Sequence, residues 1–154
     1  MEPGALVVRR SIQIAATPER VWQEFEDPER MKRWWDLDTP NVHQRLVRYE
    51  AGVGGWLEIE GLHHGHPFHF GGKIVAFDPP REVTMEHDWM PSQGWTVPTL
   101  LTVRLTANGY GTLVEVLHHG FERIGDQALE AFHGFEGGWG IEELDALRRI
   151  VEAG

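Results

Sequence analysis

A run of strand-like segments separated by short turns is the feature that most constrains the fold of this chain. Six such segments follow one another, and only turn residues rich in glycine, proline, asparagine and aspartate stand between them. They are His43–Glu50, Gly55–Gly61, Phe68–Phe77, Glu82–Met90, Thr96–Thr106 and Thr112–Gly120. Because a crossover between parallel strands needs a dozen or more residues, spacings this short predict antiparallel hairpins.

Segments on either side of this run complete the predicted fold. Leu6–Ala15 is rich in β-branched residues and predicts a first strand. Thr17 and Asp27 can each cap a helix, and each precedes a proline suited to the first helical position. Asp126–Glu152 has a period of 3.6 and predicts a long C-terminal helix. We therefore predict an α+β fold of order β-α-α-β6-α, in which a curved antiparallel sheet of about seven strands wraps around the final helix.

Composition excludes several classes of protein. The length of 154 residues predicts a single domain over residues 1–154. There is no cysteine, which excludes disulfides, thiolate metal sites and cysteine nucleophiles. A net charge of −10 argues against nucleic-acid binding. No apolar run reaches the ~18 residues of a membrane span, and the N-terminus lacks the basic lead of a signal peptide, so we expect a cytoplasmic protein without integral membrane association.

Aromatic residues raise the main functional question. The chain has seven tryptophans and seven phenylalanines beside only two tyrosines. Rings of this size either fill a large core or line a cavity for an apolar ligand. The tandem Trp34-Trp35 illustrates the choice, because these rings can be core, cavity lid or an exposed docking surface.

A set of short motifs carries a family resemblance. The motifs are Thr17-Pro18-Glu19-Arg20-Val21-Trp22, Asp27-Pro28-Glu29, Arg33-Trp34-Trp35, Gly54-Gly55, Phe77-Asp78-Pro79-Pro80-Arg81, Gly111-Thr112, His118-His119-Gly120-Phe121 and Gly137-Gly138-Trp139. In their order and spacing they resemble the START-related helix-grip (SRPBCC) superfamily, in particular the branch similar to the activator of the heat-shock-protein-90 ATPase. The resemblance runs from about Val7 to Val151. It implies a deep apolar cavity between the sheet and the C-terminal helix.

The resemblance has one departure and leaves the function open. Relatives place an apolar residue four positions after the tryptophan of the Gly-Gly-Trp motif, whereas this chain has Glu143. That difference concerns either the register of the last helix or the dryness of the cavity. Members of the superfamily carry lipids, sense hormones, cyclise polyketides or contact chaperones, so the fold does not select among these activities.

Strand alternation and the helical stripe assign the candidate cavity residues. Residues of one parity on each strand share a face with the apolar side of the last helix. Together with the tandem tryptophans and the facing residues of the last helix, the candidates are Trp34, Trp35, Leu57, Ile59, Ile74, Val83, Met85, His87, Trp89, Leu101, Val103, Val116, His118, Phe132, Phe135, Glu136 and Trp139. Our leading hypothesis is a carrier or sensor that binds a hydrophobic small molecule in this cavity, without a cofactor and without established catalysis.

Polar residues among the cavity candidates, together with Glu143, are compatible with an enzymatic alternative. In a polyketide cyclase- or dehydrase-like enzyme, His87 or His118 would act as general base, and Glu136 or Glu143 would orient it or act as acid. The simpler interpretations are that the histidines are satisfied by structural hydrogen bonds, or that these groups anchor a ligand's carboxylate or hydroxyl. A further hypothesis is a co-chaperone-like interaction module that binds a protein partner, and a homodimer is also compatible with the sequence.

A second histidine cluster is a weak metal candidate. It consists of His63, His64, His66 and His69. Imidazoles suit zinc, copper or nickel. However, a glycine and a proline interrupt the cluster, so the segment is typical of an exposed hairpin turn without a rigid second shell. We therefore predict no physiological metal site.

Overall fold

The computed structural model describes residues 3–87, 97–128 and 140–154. Its helices are α1 (Pro18–Trp22), α2 (Pro28–Trp35) and α3 (Ile141–Ala153), and 3-10 helices cover Gln23–Phe25 and Phe121–Gln127. Its strands are β1 (Val8–Ile14), β2 (Leu37–Asp38), β3 (Val42–Tyr49), β4 (Trp56–His63), β5 (His66–Asp78), β6 (Glu82–His87), β7 (Thr99–Asn108) and β8 (Gly111–His119).

The strands form one antiparallel sheet in the order β1-β8-β7-β6-β5-β4-β3-β2. The predicted first strand and the six antiparallel strands after the helices are present, and the predicted α+β architecture is confirmed. The sheet has eight strands rather than about seven, because Leu37–Asp38 pairs with His43 and Gln44. A two-residue strand is too short to show a sequence period, and it forms here because the turn before β3 folds back.

The two predicted helix starts are confirmed at atomic detail. The side chain of Thr17 accepts a hydrogen bond from Arg20 N, and that of Asp27 accepts one from Arg30 N. A proline occupies the first turn in both helices, where its missing N–H costs nothing.

The predicted helix over Asp126–Glu152 is not one continuous helix. Asp126 and Gln127 belong to a 3-10 helix, Ala128 is α-helical, and α3 begins at Ile141. Gly140 has φ of +90°, a left-handed conformation that ends any continuous α-helix at that position. Residues 129–139 of the predicted helix lie outside the described residues.

We call the inner face of the sheet the face whose side chains enter the core cluster. Helix α3 covers part of this face. α3 contacts β1 and α2 and buries Leu144, Leu147 and Val151 in a single hydrophobic cluster that reaches β3 through β8. None of the helices in the described ranges combines the length and the apolar character that a membrane crossing requires.

Candidate ligand-binding site

A row of five aromatic rings crosses the inner face of the sheet at one end. We call it the aromatic strip, and it consists of Phe68, Phe70, His87, His118 and Phe121. The centroids of successive rings are 5.7, 4.3, 4.5 and 4.7 Å apart. These separations are those at which aromatic pairs attract one another. The strip is thus a continuous row of aromatic rings within the inner face.

Strand alternation and a glycine position these rings. Phe68 and Phe70 are two residues apart on β5 and share a face, while His87 ends β6. A Cβ on Gly72 would lie 2.1 Å from the carbonyl oxygen of Glu86, so only glycine fits between β5 and β6 at this point. With no side chain at Gly72, the ring of Phe70 comes within 4.3 Å of the ring of His87.

His118 is held as a neutral imidazole. Thr99 Oγ1 donates to the carbonyl oxygen of His87 at 3.1 Å and lies 2.7 Å from His118 Nε2. Because that hydroxyl hydrogen is already used, we assign the shared proton to His118 Nε2. Burial, with His87 and His119 nearby, holds the pKa of His118 well below its usual value.

A buried carboxyl lies at the first turn of α3. Glu143 is 6% exposed, and its Oε1 accepts a hydrogen bond of 3.2 Å from Gln44 Nε2. Gln44, on β3, is also buried and donates to the carbonyl oxygen of Trp35 at 2.9 Å. Burial raises the pKa of Glu143, Gln44 and His87 oppose the shift, and Glu142 adds to it. The departure at position 143 is therefore an inward-facing carboxyl, in a helix that also buries Leu144, Leu147 and Val151.

An open groove of about 520 Å³ reaches two residues of this region. Its lining includes Leu37, Gln44, Gly61 and Phe68. Gln44, Gly61 and Phe68 are opposite one another on β3, β4 and β5, and glycine leaves the middle position without a side chain. The groove therefore touches both the buried Gln44 and one end of the aromatic strip, while the rest of its lining consists mainly of more exposed residues of the opposite parity, such as Arg45, Glu60 and His69.

Most predicted cavity residues lie in the described part of the chain, and all of those are buried. They are Trp34, Trp35, Leu57, Ile59, Ile74, Val83, Met85, His87, Leu101, Val103, Val116 and His118. The burial of Trp34 and Trp35 overturns the alternative of an exposed docking aromatic at this position. Trp89, Phe132, Phe135, Glu136 and Trp139 lie outside the described residues.

Four residues of the region were not predicted from the sequence. They are Gln44, Phe68, Phe70 and Phe121. Alternation with Leu46 on the same strand would have placed Gln44 inward. Phe68 and Phe70 have the same parity as Ile74 on β5, so extending the alternation from Ile74 would have placed both on the inner face. Phe121 follows the last strand, and its contact with His118 depends on the tertiary fold.

The histidines of the β4–β5 hairpin do not converge. His63 and His66 face each other across the strands, and the ring of His64 lies 4.4 Å from that of His63. His69 Nε2 instead lies 2.7 Å from Glu58 Oε2. Across residues 3–87, 97–128 and 140–154, no group of three or more possible ligands has the geometry to hold a metal ion.

A curled antiparallel sheet with a helix at its C-terminal end defines this chain as a helix-grip protein. Residues 15–152 match the family described as "Activator of Hsp90 ATPase homolog 1-like protein". The chain belongs to that family, within the superfamily that the sequence motifs indicate. A comparison with curated proteins found no match.

Several solved structures share the fold. A crystal structure of a Chromobacterium violaceum protein is 22% identical, with a TM-score of 0.68 and coverage of 97% of this chain and 99% of that one. A solution structure from Arthrobacter aurescens is 20% identical, with a TM-score of 0.72 and coverage of 97% and 88%. The solution structure of the Aha1 dimer from Colwellia psychrerythraea is 22% identical, with a TM-score of 0.59 and coverage of 95% and 96%. At such identities the likeness shows the fold alone.

Proposed function

We propose that this protein binds an apolar or aromatic small molecule between the aromatic strip and α3, as a carrier or sensor. The observation that carries the proposal is the aromatic strip itself. A row of rings tilted by 18° to 62° against one another, on the inner face of a helix-grip sheet, offers a ligand aromatic contacts in a fold compatible with a ligand cavity.

Buried polar groups near the strip support ligand binding over a purely structural core. Small-molecule sites are mostly apolar, with a few polar groups that fix orientation. Glu143 and Gln44 are such groups, and the open groove meets both Gln44 and Phe68. The groove would serve as the mouth of the site, with Phe68, which is half-buried, at its inner end.

Calorimetric titration with 2-naphthylmethanol tests the proposal. We expect Phe68→Ala to weaken binding about three- to tenfold, because one ring–ring contact is worth roughly 0.5–1.5 kcal/mol. Tyr110→Ala is the matched control, since the ring of Tyr110 is fully exposed and should leave affinity unchanged. Absence of binding, or equal losses in both variants, would contradict a site at the strip.

The cyclase- or dehydrase-like alternative uses His87 as general base and Glu143 as general acid. Both side chains are buried, His87 at the end of β6 and Glu143 in the first turn of α3. This alternative requires that His87→Gln abolish turnover of a polyketide-type substrate while the circular dichroism spectrum stays native.

We also consider two ways in which this chain could bind another protein, namely as a homodimer or as a co-chaperone-like module. The Colwellia relative is described as a dimer. We extend a homodimer to this chain as a proposal, to be checked by sedimentation equilibrium. The co-chaperone-like alternative would instead show a protein complex that weakens steeply with salt, because the chain carries a net charge of −10.

A further inference from the structure

We infer that the Glu143–Gln44 pair makes the site selective for ligands with a hydrogen-bond donor, an amine or a hydroxyl, over ligands with a carboxylate. This inference rests on the proposed binding function and specifies the polar group of the ligand. It follows from which atoms of the pair are already used, from the charge around them and from their position relative to the aromatic strip.

Both amide hydrogens of Gln44 are already used in hydrogen bonds. Its side-chain amide has two N–H hydrogens, and Nε2 donates to two acceptors. One is the carbonyl oxygen of Trp35 at 2.9 Å, and the other is Glu143 Oε1 at 3.2 Å. The polar atoms that the pair can still offer are oxygens, namely Gln44 Oε1 and the carboxyl oxygens of Glu143. Oxygens of this kind accept from a ligand donor and repel a ligand carboxylate.

The acidic residues around the pair bear on the charge that a ligand can carry. Glu142 and Glu143 both lie in the first turn of α3, so two carboxyl groups are neighbours at this end of the helix. Gln44, which is neutral, fixes the carboxyl in place through its bond to the backbone of α2. A buried carboxylate is costly unless it is paired, so a cationic or donor-bearing ligand relieves that cost and an anionic ligand adds to it.

The distance from the pair to the aromatic strip sets the size of a suitable ligand. Gln44 and Phe68 are opposite each other across β4, with Gly61 between them. Two strand spacings separate them by about 10 Å. A bicyclic aromatic body that bears a one-carbon polar arm spans roughly that distance, so its rings can contact the strip while its polar group reaches the pair.

Three probes with one naphthalene body test the inference: 2-naphthylmethylamine, 2-naphthylmethanol and 2-naphthoate. We measure their dissociation constants by calorimetry at pH 7.5 and constant ionic strength. The wild-type protein should bind the amine and the alcohol about tenfold or more tightly than the naphthoate, a difference of about 1.4 kcal/mol. In Glu143→Gln, the preference of amine over naphthoate should shrink at least fivefold, by the same free-energy arithmetic.

Glu26→Gln is the matched control, because Glu26 is exposed and undergoes the same chemical change. It should keep the wild-type order of affinities. Equal binding of all three probes would overturn the inference and leave the proposed binding function standing, as would an unchanged preference in Glu143→Gln. If no probe binds, the proposed function fails and the inference fails with it. The isosteric Gln variant replaces the buried carboxyl with a neutral amide, and a thermal melt verifies that it is folded.

Discussion

At the scale of single residues, His118 shows how burial sets chemistry. Sequence alternation placed it on the inner face, and the structure adds its hydrogen bond to Thr99 and its contacts with His87 and Phe121. Alternation alone could not show these contacts, because they join three strands that are far apart in sequence. The depressed pKa of His118 follows from the same enclosure.

This depressed pKa predicts how stability depends on pH. The pKa of His118 lies well below 6.5 in the folded state, so the unfolded chain binds the proton first as pH falls. Stability present near pH 7 should therefore be lost as pH falls below about 6.5, with a slope of at most about 1.4 kcal/mol per pH unit for one histidine. Urea unfolding at a series of pH values measures this slope.

The variant His118→Gln isolates the contribution, because its amide can still donate to Thr99 Oγ1. We expect a shallower loss of stability between pH 7 and 5 than in the wild type. His64→Gln, a change at an exposed hairpin residue, should follow the wild-type curve. If the stability of His118→Gln depended on pH in the same way as that of the wild type does, the histidine would not be neutral in the folded protein.

At the scale of elements, local sequence determined where the short helices begin. Thr17 and Asp27 cap α1 and α2 through their own side chains, and such a contact depends only on residues three positions away. The start of α3 was harder to predict. The apolar period of the sequence continues on both sides of Gly140, so it does not show that α3 begins after a left-handed residue at this position.

One buried carboxylate joins these short helices. Glu24, in the 3-10 helix after α1, is fully buried, and its oxygens accept hydrogen bonds of 2.8, 3.0 and 3.1 Å from Arg20, Arg30 and Arg33. Its carbonyl oxygen accepts from Trp34 Nε1. Helices of five and eight residues are too short to be stable alone, so contacts of this kind hold them together.

Glu24→Gln should therefore destabilise the protein by about 2 kcal/mol, because a buried carboxyl loses charge-assisted hydrogen bonds to three arginines that are themselves partly exposed to water. Chemical denaturation gives the free energy of unfolding. Glu29→Gln, an exposed change in the same segment, should stay within roughly 0.5 kcal/mol of the wild type. Equal effects of the two changes would mean that the arginine cluster contributes nothing.

At the scale of the whole molecule, one hydrophobic cluster joins the sheet to the helices. It includes Ile14 of β1, Leu46 of β3, Met85 of β6 and Leu147 of α3. Because no smaller part of the described chain has its own core in this cluster, we predict that residues 1–154 unfold as a single cooperative domain.

Two probes of denaturation test this prediction. Far-UV circular dichroism reports the sheet and helices, and tryptophan fluorescence reports Trp22, Trp34 and Trp35 among others. The two transitions should coincide in midpoint and slope. A separate early transition in fluorescence would divide the helical end from the sheet and contradict the single-domain prediction.

Features that depend on near neighbours follow from the local sequence. Turn residues and alternation specify the antiparallel strands, caps specify α1 and α2, and motif order indicates the superfamily. Contacts between distant segments follow only from the folded arrangement. It brought Gln44 to Glu143, 99 residues apart, and aligned Phe70 with His87 across two strands. Such pairings depend on register and on the packing of α3, and periodicity within one segment carries no information about either.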